Sequence, residues 1–468
     1  MMSKENPMRA RPIAIGGKKP SRLARFAADA RGNVFIIMAF SMIPLTAATG
    51  MAIDYSRAAR LQTKVNSAAD AAALAAVTTP MMSQSTEDAA VAAGKMFISQ
   101  VGALNGMTWK QALRTTPATS TTLTTYTLDY GAFKVVVTDT DITGLTRVAT
   151  VSYDALSDNA FKGVLGLSKS GIGGSATAKA KVAPNIDFFM LLDVSSSMAL
   201  PITSAGIASM KQMTGGCAFA CHQSNPDTSE GTRQYVNGKL VDFYTAAHNA
   251  GIVLRVDNGK TAIQDTIDRA IDTMASNKAN YRFSVSTFAK AANFNNLAGI
   301  TSTLAYARSQ AGAAQAVIVK KNDAGWDRQT EHDDSLVKAA ALMPLASGTG
   351  SRKPGSTPQS ILFLVTDGMR DEDRSGRQLG AILQTQCTAI KARLNTRIAV
   401  LYTTYDPTSI AGDSWSQTNV AWRLPDIAPA LKACASPDLY FEVTTDQSIS
   451  DAMRKLFDAA TNTARITQ

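Results

Sequence analysis

The sequence predicts an α/β protein. A long N-terminal transmembrane helix carries a small antiparallel β subdomain, and a doubly wound, mostly parallel sheet with helices on both faces follows. Three observations lead there. Val34 to Ile53 contains no charged residue and has about the length a helix needs to cross a bilayer. Thr121 to Val151 is rich in Thr, Val and Tyr and alternates in Phe133-Lys-Val-Val-Val-Thr, the pattern of half-buried strands. From Asp187 onward, short apolar runs alternate with helical patterns, which argues for a mostly parallel sheet.

The N-terminus comes first. Lys4, Arg9, Arg11, Lys18, Lys19, Arg22, Arg25 and Arg31 face only Glu5 and Asp29, within a chain of 468 residues and net charge +10. A basic tail can serve nucleic acid. Here it stands directly before the apolar run, and with Asp54 just after that run it predicts a cytoplasmic N-terminus and an exported body. A cleaved signal peptide is the competing reading. The long basic region and the lack of an Ala-x-Ala site favour an uncleaved anchor. Pro44 and Gly50 are compatible with a membrane helix.

The helical pattern continues past the membrane. Leu61, Val65, Ala68, Ala72 and Ala75 step by four and three along one face, so one helix is expected from about 33 to 78. Its alanine seam lets a partner helix or sheet approach closely, and ordinary core packing produces the same seam. Residues 86–103 read as a second helix, with Ala89, Ala92, Ala93 and Phe97 on one side. Thr146–Tyr153 and Ser175–Val182 are further strand candidates. Gly171-Ile-Gly-Gly174 reads as a turn, and without a lysine or a helix start beside it no nucleotide site is expected there. The chain divides into a basic tail (1–32), the membrane and extended helix (33–80), a small α+β subdomain (81–184) and the large α/β domain (185–462). That last domain has insertions at about 199–255 and 289–328.

In the last domain, strands are expected at Phe188–Leu192, Arg282–Phe288, Ile361–Thr366, Arg397–Tyr402 and Leu439–Val443. Helices are expected at Gly259–Ser276, Asp334–Met343, Arg377–Leu394 and Ile449–Asn462. The first strand runs into Asp193-Val-Ser195-Ser-Ser197. An all-apolar run reads as a strand buried on both faces, and ligands of such sheets sit beyond the carboxyl ends of the strands. One carboxylate and two hydroxyls at that edge form an all-oxygen cluster suited to a hard divalent cation. The strand ending Val365-Thr-Asp367-Gly368 brings a second aspartate to the same edge.

The cysteines are Cys217, Cys221, Cys387 and Cys434, an even number in an exported part, which favours disulfides. Three pairings are possible, and Cys217–Cys221 with Cys387–Cys434 is favoured. Cys217-Ala-Phe-Ala-Cys221-His222 has one residue too many between its cysteines for a haem attachment site. A zinc site needs more ligands than His248 and His332 can add.

Asp-x-Ser-x-Ser after one strand and Thr-Asp-Gly after another resemble the metal-ion-dependent adhesion site of von Willebrand factor A-type domains, over roughly residues 185–462. The resemblance implies that Ser195 and Ser197 give hydroxyl ligands to Mg²⁺ (or Ca²⁺ or Mn²⁺), while Asp193 and Asp367 act mainly through bound water. Thr330 is the best match for the family's loop threonine, although Gln329 precedes it where glycine is usual. The last coordination position is then open to a partner's carboxylate or to water.

Arg31-Gly-Asn-Val-Phe-Ile-Ile-Met-Ala-Phe, Ala52-Ile-Asp-Tyr-Ser-Arg-Ala-Ala-Arg-Leu-Gln and Asn66-Ser-Ala-Ala-Asp-Ala-Ala-Ala-Leu-Ala-Ala resemble the TadE/TadG-like region of tight-adherence (Flp) pilus assembly proteins. With an A-type domain behind it, the chain is similar to TadG-type proteins. This implies a single-pass inner-membrane protein with a periplasmic body. Its partners would be other pilus assembly or pseudopilin proteins, held through an acidic side chain at the metal. Pilin-like members cleaved by prepilin peptidase carry a glutamate five residues after the cleavage glycine. Counted from Gly32 that position is Ile37, so no such cleavage is expected.

Other functions find little support. There is no Gly-x-Ser-x-Gly, His-Glu-x-x-His or Walker loop, and no histidine has an evident nucleophile partner, so no enzyme or small-molecule substrate is expected. The expected function is a non-enzymatic, membrane-anchored component of Flp pilus assembly. An envelope-anchored A-type scaffold or adhesin without a pilus is the alternative. The basic cluster is explained by membrane orientation, so no nucleic-acid partner is expected.

Overall fold

The computed structural model describes residue 23 and residues 33–463 apart from 103, 105–106, 110–123, 142, 163–165, 217, 219–232, 237–238, 318–329 and 413. Helix α1 (Asn33–Ala76) is continuous through Pro44. Its first half is exposed, with Phe35, Phe40 and Leu45 open to the surroundings, whereas Val65, Ala68, Ala69, Ala72 and Ala73 in its second half are buried. The alanine seam therefore has a partner. Helix α2 (Thr86–Val101), capped by Ser85 accepting from Asp88 N, packs there with Ala89, Ala93 and Phe97.

Under these helices lies an antiparallel sheet of β1 (Met107–Trp109), β2 (Thr125–Asp129), β3 (Phe133–Asp139), β4 (Thr146–Asp158) and β5 (Lys169–Lys181). β5 pairs along one edge of β4, while β3 and β1 pair along the other. Alternation on β3 sends Phe133, Val135 and Val137 to the helices, and Ala149, Val151 and Tyr153 of β4 do the same.

The segment 171–174, expected as a turn, lies inside β5. Its glycines permit close approach and do not reverse the chain. A Cβ at Gly174 would stand 2.4 Å from Asn66 Oδ1 of α1, and Gln62 Nε2 donates to Gly173 O at 2.9 Å. Glycine in a strand marks a place where another element comes close.

Arg147 on β4 is fully buried and holds this unit together. Its guanidinium donates to Asp139 Oδ1 (2.8 Å), Met81 O (2.6 Å) and Gln84 O (2.9 Å). Asp139 also pairs with Lys353 of the large domain. Removing Arg147 leaves Asp139 with Lys353 alone and takes the guanidinium donor from Met81 O and Gln84 O. Arg147→Leu is therefore expected to cost about 3–5 kcal/mol. Thermal unfolding of the detergent-solubilised chain checks this, and a loss under about 1 kcal/mol would show that Asp139 and the two carbonyls find other donors.

The large domain starts with β6 (Ile186–Asp193) and continues through α3 (Ser204–Thr214), the hairpin β7 (Arg233–Val236) and β8 (Lys239–Asp242), α4 (Phe243–Asn249) and α5 (Arg255–Asn277). Then come β9 (Tyr281–Phe288), β10 (Asn295–Thr301), α6 (Leu304–Gly312), α7 (His332–Leu342), β11 (Gln359–Thr366), β12 (Arg370–Asp373), β13 (Arg377–Gly380) and α8 (Gln384–Lys391). The domain closes with β14 (Thr396–Thr403), α9 (Pro407–Ile410), α10 (Ser414–Asn419), α11 (Leu424–Cys434), β15 (Tyr440–Val443) and α12 (Ile449–Thr463).

Six strands form one sheet in the order β10-β9-β6-β11-β14-β15. All pair in parallel except the antiparallel edge strand β10. Phe188, Met190 and Leu192 of β6 enter one core with α5, α6 and α12, and Phe189 and Leu191 enter the other with α7, α8 and α11. The all-apolar run thus serves two layers of helices.

Two segments differ from expectation. Residues 377–394 do not form one helix. β13 pairs with β12, pinned by Arg377 donating to Asp371 Oδ1 at 2.9 Å, and only Gln384–Lys391 is helical. Between 289 and 317 lie β10 and α6, which complete the sheet edge and one core layer.

Candidate functional site

Chain order and strand order meet at one place. β6 is the first strand of the large sheet and β11 the fourth, and they are neighbours, with β9 and β14 outside them. Successive connections therefore leave in opposite directions between β6 and β11. In open α/β sheets the crevice beyond the carboxyl ends at such a switch point takes the ligand. Asp193 ends β6 and Asp367 follows β11, so both aspartates stand there, each fully buried.

The first loop turns tightly. Ser195 N donates to Asp193 Oδ1 at 2.8 Å, and the Ser195 and Ser197 hydroxyls are 3.3 Å apart. From β11, the Thr366 hydroxyl donates to Asp193 Oδ2 at 2.6 Å and accepts from Gly368 N at 2.9 Å. Since that hydroxyl proton goes to Asp193, His332 Nε2, 3.1 Å from Thr366 Oγ1, is the donor. His332 is neutral: burial and the Arg370 charge push it down to about 3. Gly368 has φ +75, and a Cβ there would stand 2.5 Å from Ile427 Cγ2, so only glycine follows Asp367 without strain.

Burial, then the charge of Asp367, pushes the Asp193 carboxyl up to about 7. Arg255, at the start of α5 and only 4% exposed, offsets part of the charge. Its guanidinium donates to Asp367 Oδ2 at 3.3 Å and Thr404 O at 2.6 Å, and lies 4.6 Å from the Tyr405 ring centre. A small cleft lined by Pro201, Arg255, Thr403, Thr404 and Val443 opens beside it.

Of the residues singled out in the sequence, the structure joins Asp193, Ser195 and Ser197 by hydrogen bonds and sets Asp367 across the switch point. Thr330 is buried at the foot of α7, its backbone paired with Asp371 (N to O 3.0 Å). Cys387 and Cys434 form a disulfide between α8 and the end of α11. Cys217 and Cys221 lie outside the described residues. Thr366, Arg255, Tyr405 and His332 were not foreseen. Thr366 stood in plain view beside Asp367, while Arg255 carries no local signal, since its partner is far along the chain.

Chemically, the cluster offers carboxylate and hydroxyl oxygens only. Among the described residues no three His, Cys, Asp or Glu side chains gather as metal ligands. Two desolvated carboxylates facing one guanidinium leave room for a further positive charge, and hard oxygen donors suit Mg²⁺, Ca²⁺ or Mn²⁺. The donor set therefore fits a divalent cation. If a cation can replace Arg255 as the counter-charge of Asp367, Arg255→Met should cost about 3 kcal/mol in EDTA. Millimolar Mg²⁺ should recover part of that loss in thermal unfolding. An equal loss with and without Mg²⁺ would mean that Arg255 acts only through packing.

Residues 32–79 match the profile of the Flp pilus-assembly TadE/G-like family. The N-terminal region is TadE/G-like. Beyond it, the strand order, the antiparallel edge strand and the paired loops at the switch point are those that the resemblance to von Willebrand factor A-type domains implies. No curated protein sequence matches the chain.

Among solved structures, the chain is similar to BatB from Bacteroides thetaiotaomicron, at 13% identity and TM-score 0.33 over 59% of this chain and 99% of that one. It is also similar to the von Willebrand domain of the type V pili tip protein Mfa5 from Porphyromonas gingivalis, at 11% identity and TM-score 0.30 over 61% and 98%. A third likeness is to proximal thread matrix protein 1 of the mussel byssus with a zinc-occupied adhesion motif, at 14% identity and TM-score 0.30. That match spans 60% of this chain and 46% of the byssus chain. The helix carrying the TadE/G-like region is also the one helix among the described residues long and apolar enough to cross a membrane.

Proposed function

We propose that this protein is a single-pass, inner-membrane component of Flp pilus assembly that binds a protein partner through a divalent cation at the switch point and catalyses no reaction. The observation that carries the reading is one chain joining a TadE/G-like membrane helix to an oxygen cluster at a topological switch point. Ser195 and Ser197 would bind the ion directly, with Thr330 as the loop contribution. Asp193 and Asp367 would hold its water ligands and orient the hydroxyls. Metal held by neutral hydroxyls keeps its attraction for an anion, so an acidic side chain on another pilus assembly protein would complete the shell.

The buried Cys387–Cys434 bond supports an exported body, because disulfides persist outside the reducing cytoplasm. The basic residues before α1 support a cytoplasmic N-terminus.

Cells carrying Ser195→Ala test the reading. The variant is expected to insert and to melt within about 1 kcal/mol of the parent, since a single small hydroxyl is removed. Surface pili counted by electron microscopy should be lost. Normal piliation in a strain whose variant is present and folded would rule out the metal-dependent form of the proposal.

A further inference from the structure

The β4–β5 hairpin ends against the membrane helix, and nothing in the proposed partner site uses that end. The uncharged run of α1 stops at Ile53. Asp54, which follows, is buried, and its carboxylate accepts Ala160 N at 2.7 Å and Phe161 N at 3.2 Å. The hairpin end is thereby tied to the helix where the apolar stretch finishes.

Phe161 reaches further back. A Cβ at Gly50 would lie 2.9 Å from Phe161 Cγ, so the ring rests on the helix at Gly50. Gly50 precedes Ile53 by three residues, about 5 Å along the axis. With Met42, Leu45, Thr46 and Thr49, Phe161 lines an open, mostly apolar groove. Leu167, at the other side of the hairpin end, is 62% exposed. Tyr55, 78% exposed, stands just beyond the uncharged run, with Arg57, Arg60 and Lys162 also exposed. Exposed aromatic and basic residues within about 10 Å of the end of an apolar span are the composition of a membrane interface.

We propose that this hairpin end is a second membrane contact, with Phe161 and Leu167 entering the interfacial layer of a phospholipid bilayer and Lys162 at the level of the lipid phosphates. A lipid chain fills the groove against α1. The occupant is argued from continuity with the apolar helix and from the exposed basic residues just beyond its end. The depth of about 5 Å matches the 5–10 Å at which interfacial residues lie. Two contacts, a helix and a hairpin end, hold the body at a set height and tilt over the membrane, which one helix alone leaves free.

The inference rests on the reading that Val34–Ile53 spans a bilayer, and the experiment separates the two. The full chain is reconstituted into phosphatidylethanolamine–phosphatidylglycerol vesicles with lipids brominated near the headgroup end of their chains and, in a second set, near the methyl end, so that both the interface and the bilayer centre are probed. Emission is compared with the parent for three variants: Leu167→Trp at the hairpin end, Leu45→Trp on α1 and Leu345→Trp on the large domain, where Leu345 is 82% exposed. The added emission of Leu167→Trp and Leu45→Trp should be largely quenched, and that of Leu345→Trp unchanged. Quenching at Leu45→Trp without quenching at Leu167→Trp overturns the hairpin contact and leaves the anchor standing. Quenching at neither overturns both.

Discussion

Saturating Mg²⁺ is expected to raise the unfolding temperature of the large domain, and Asp193→Asn to abolish the rise. The reason is mass action: a ligand that binds only the folded state at one hundred times its dissociation constant stabilises by about 2.7 kcal/mol. For a domain of this size that is roughly 5–10 °C. Asparagine keeps an oxygen for Ser195 N and a polar group for Thr366, so the loop can fold while the charge proposed to hold the ion's waters is gone. An equal shift in parent and variant would place the ion elsewhere and remove Asp193 from the site.

The same experiment has a pH dependence of known sign. The Asp193 carboxyl, pushed up to about 7 by burial and Asp367, is ordinary in the unfolded chain, at about 3.9. The folded state therefore holds the proton more tightly. The contribution of this group is fully present below about pH 4 and is lost as the pH rises to about 7. A cation bound at the proposed site would compete with that proton, so the Mg²⁺ shift should be small at pH 6 and larger at pH 8. Metal-free protein should show the opposite trend from this group, and melts across that range with EDTA and with Mg²⁺ read both.

The second large effect concerns the helix layer on one face of the sheet. Replacing both Cys387 and Cys434 with alanine is expected to destabilise the large domain by about 4 kcal/mol, from the entropy of closing a loop with sequence separation 47. Both sulfurs are buried in the core that α8 and α11 form against β11 and β14. The site itself rests on β6 and β11, so the doubly substituted protein, where folded, should keep its response to Mg²⁺. A loss below about 1 kcal/mol, measured by thermal unfolding with and without reductant, would mean that the bond adds no constraint.

How much of this was legible in the sequence depends on range. Asp193, Ser195, Ser197 and Asp367 could be read because each follows its strand within a few residues, and a buried strand announces itself by an unbroken apolar run. The long helix was equally open to reading, from the uncharged stretch and then the alanine seam. Gly171–Gly174 was misread because glycine looks the same in a turn and in a strand that another element approaches closely. Pairing with Tyr153–Leu156 of β4 and the approach of Asn66 and Gln62 of α1 distinguish the two. The segment 377–394 was misread because the Arg377–Asp371 pair, together with Arg377 stacked 4.3 Å from the Trp415 ring centre, holds a hairpin that local helix preference does not foresee.

The sequence by itself determined the five parallel strands of the large sheet and the course of the long apolar helix, because these follow from the period and charge of neighbouring residues. The tertiary structure alone decided that β6 lies beside β11, and hence that Asp193 and Asp367 share one buried space. It also decided that Arg255 and Thr366 complete that space. Strand order is set by packing two layers of helices on one sheet, a sum over distant contacts that no short stretch of chain records.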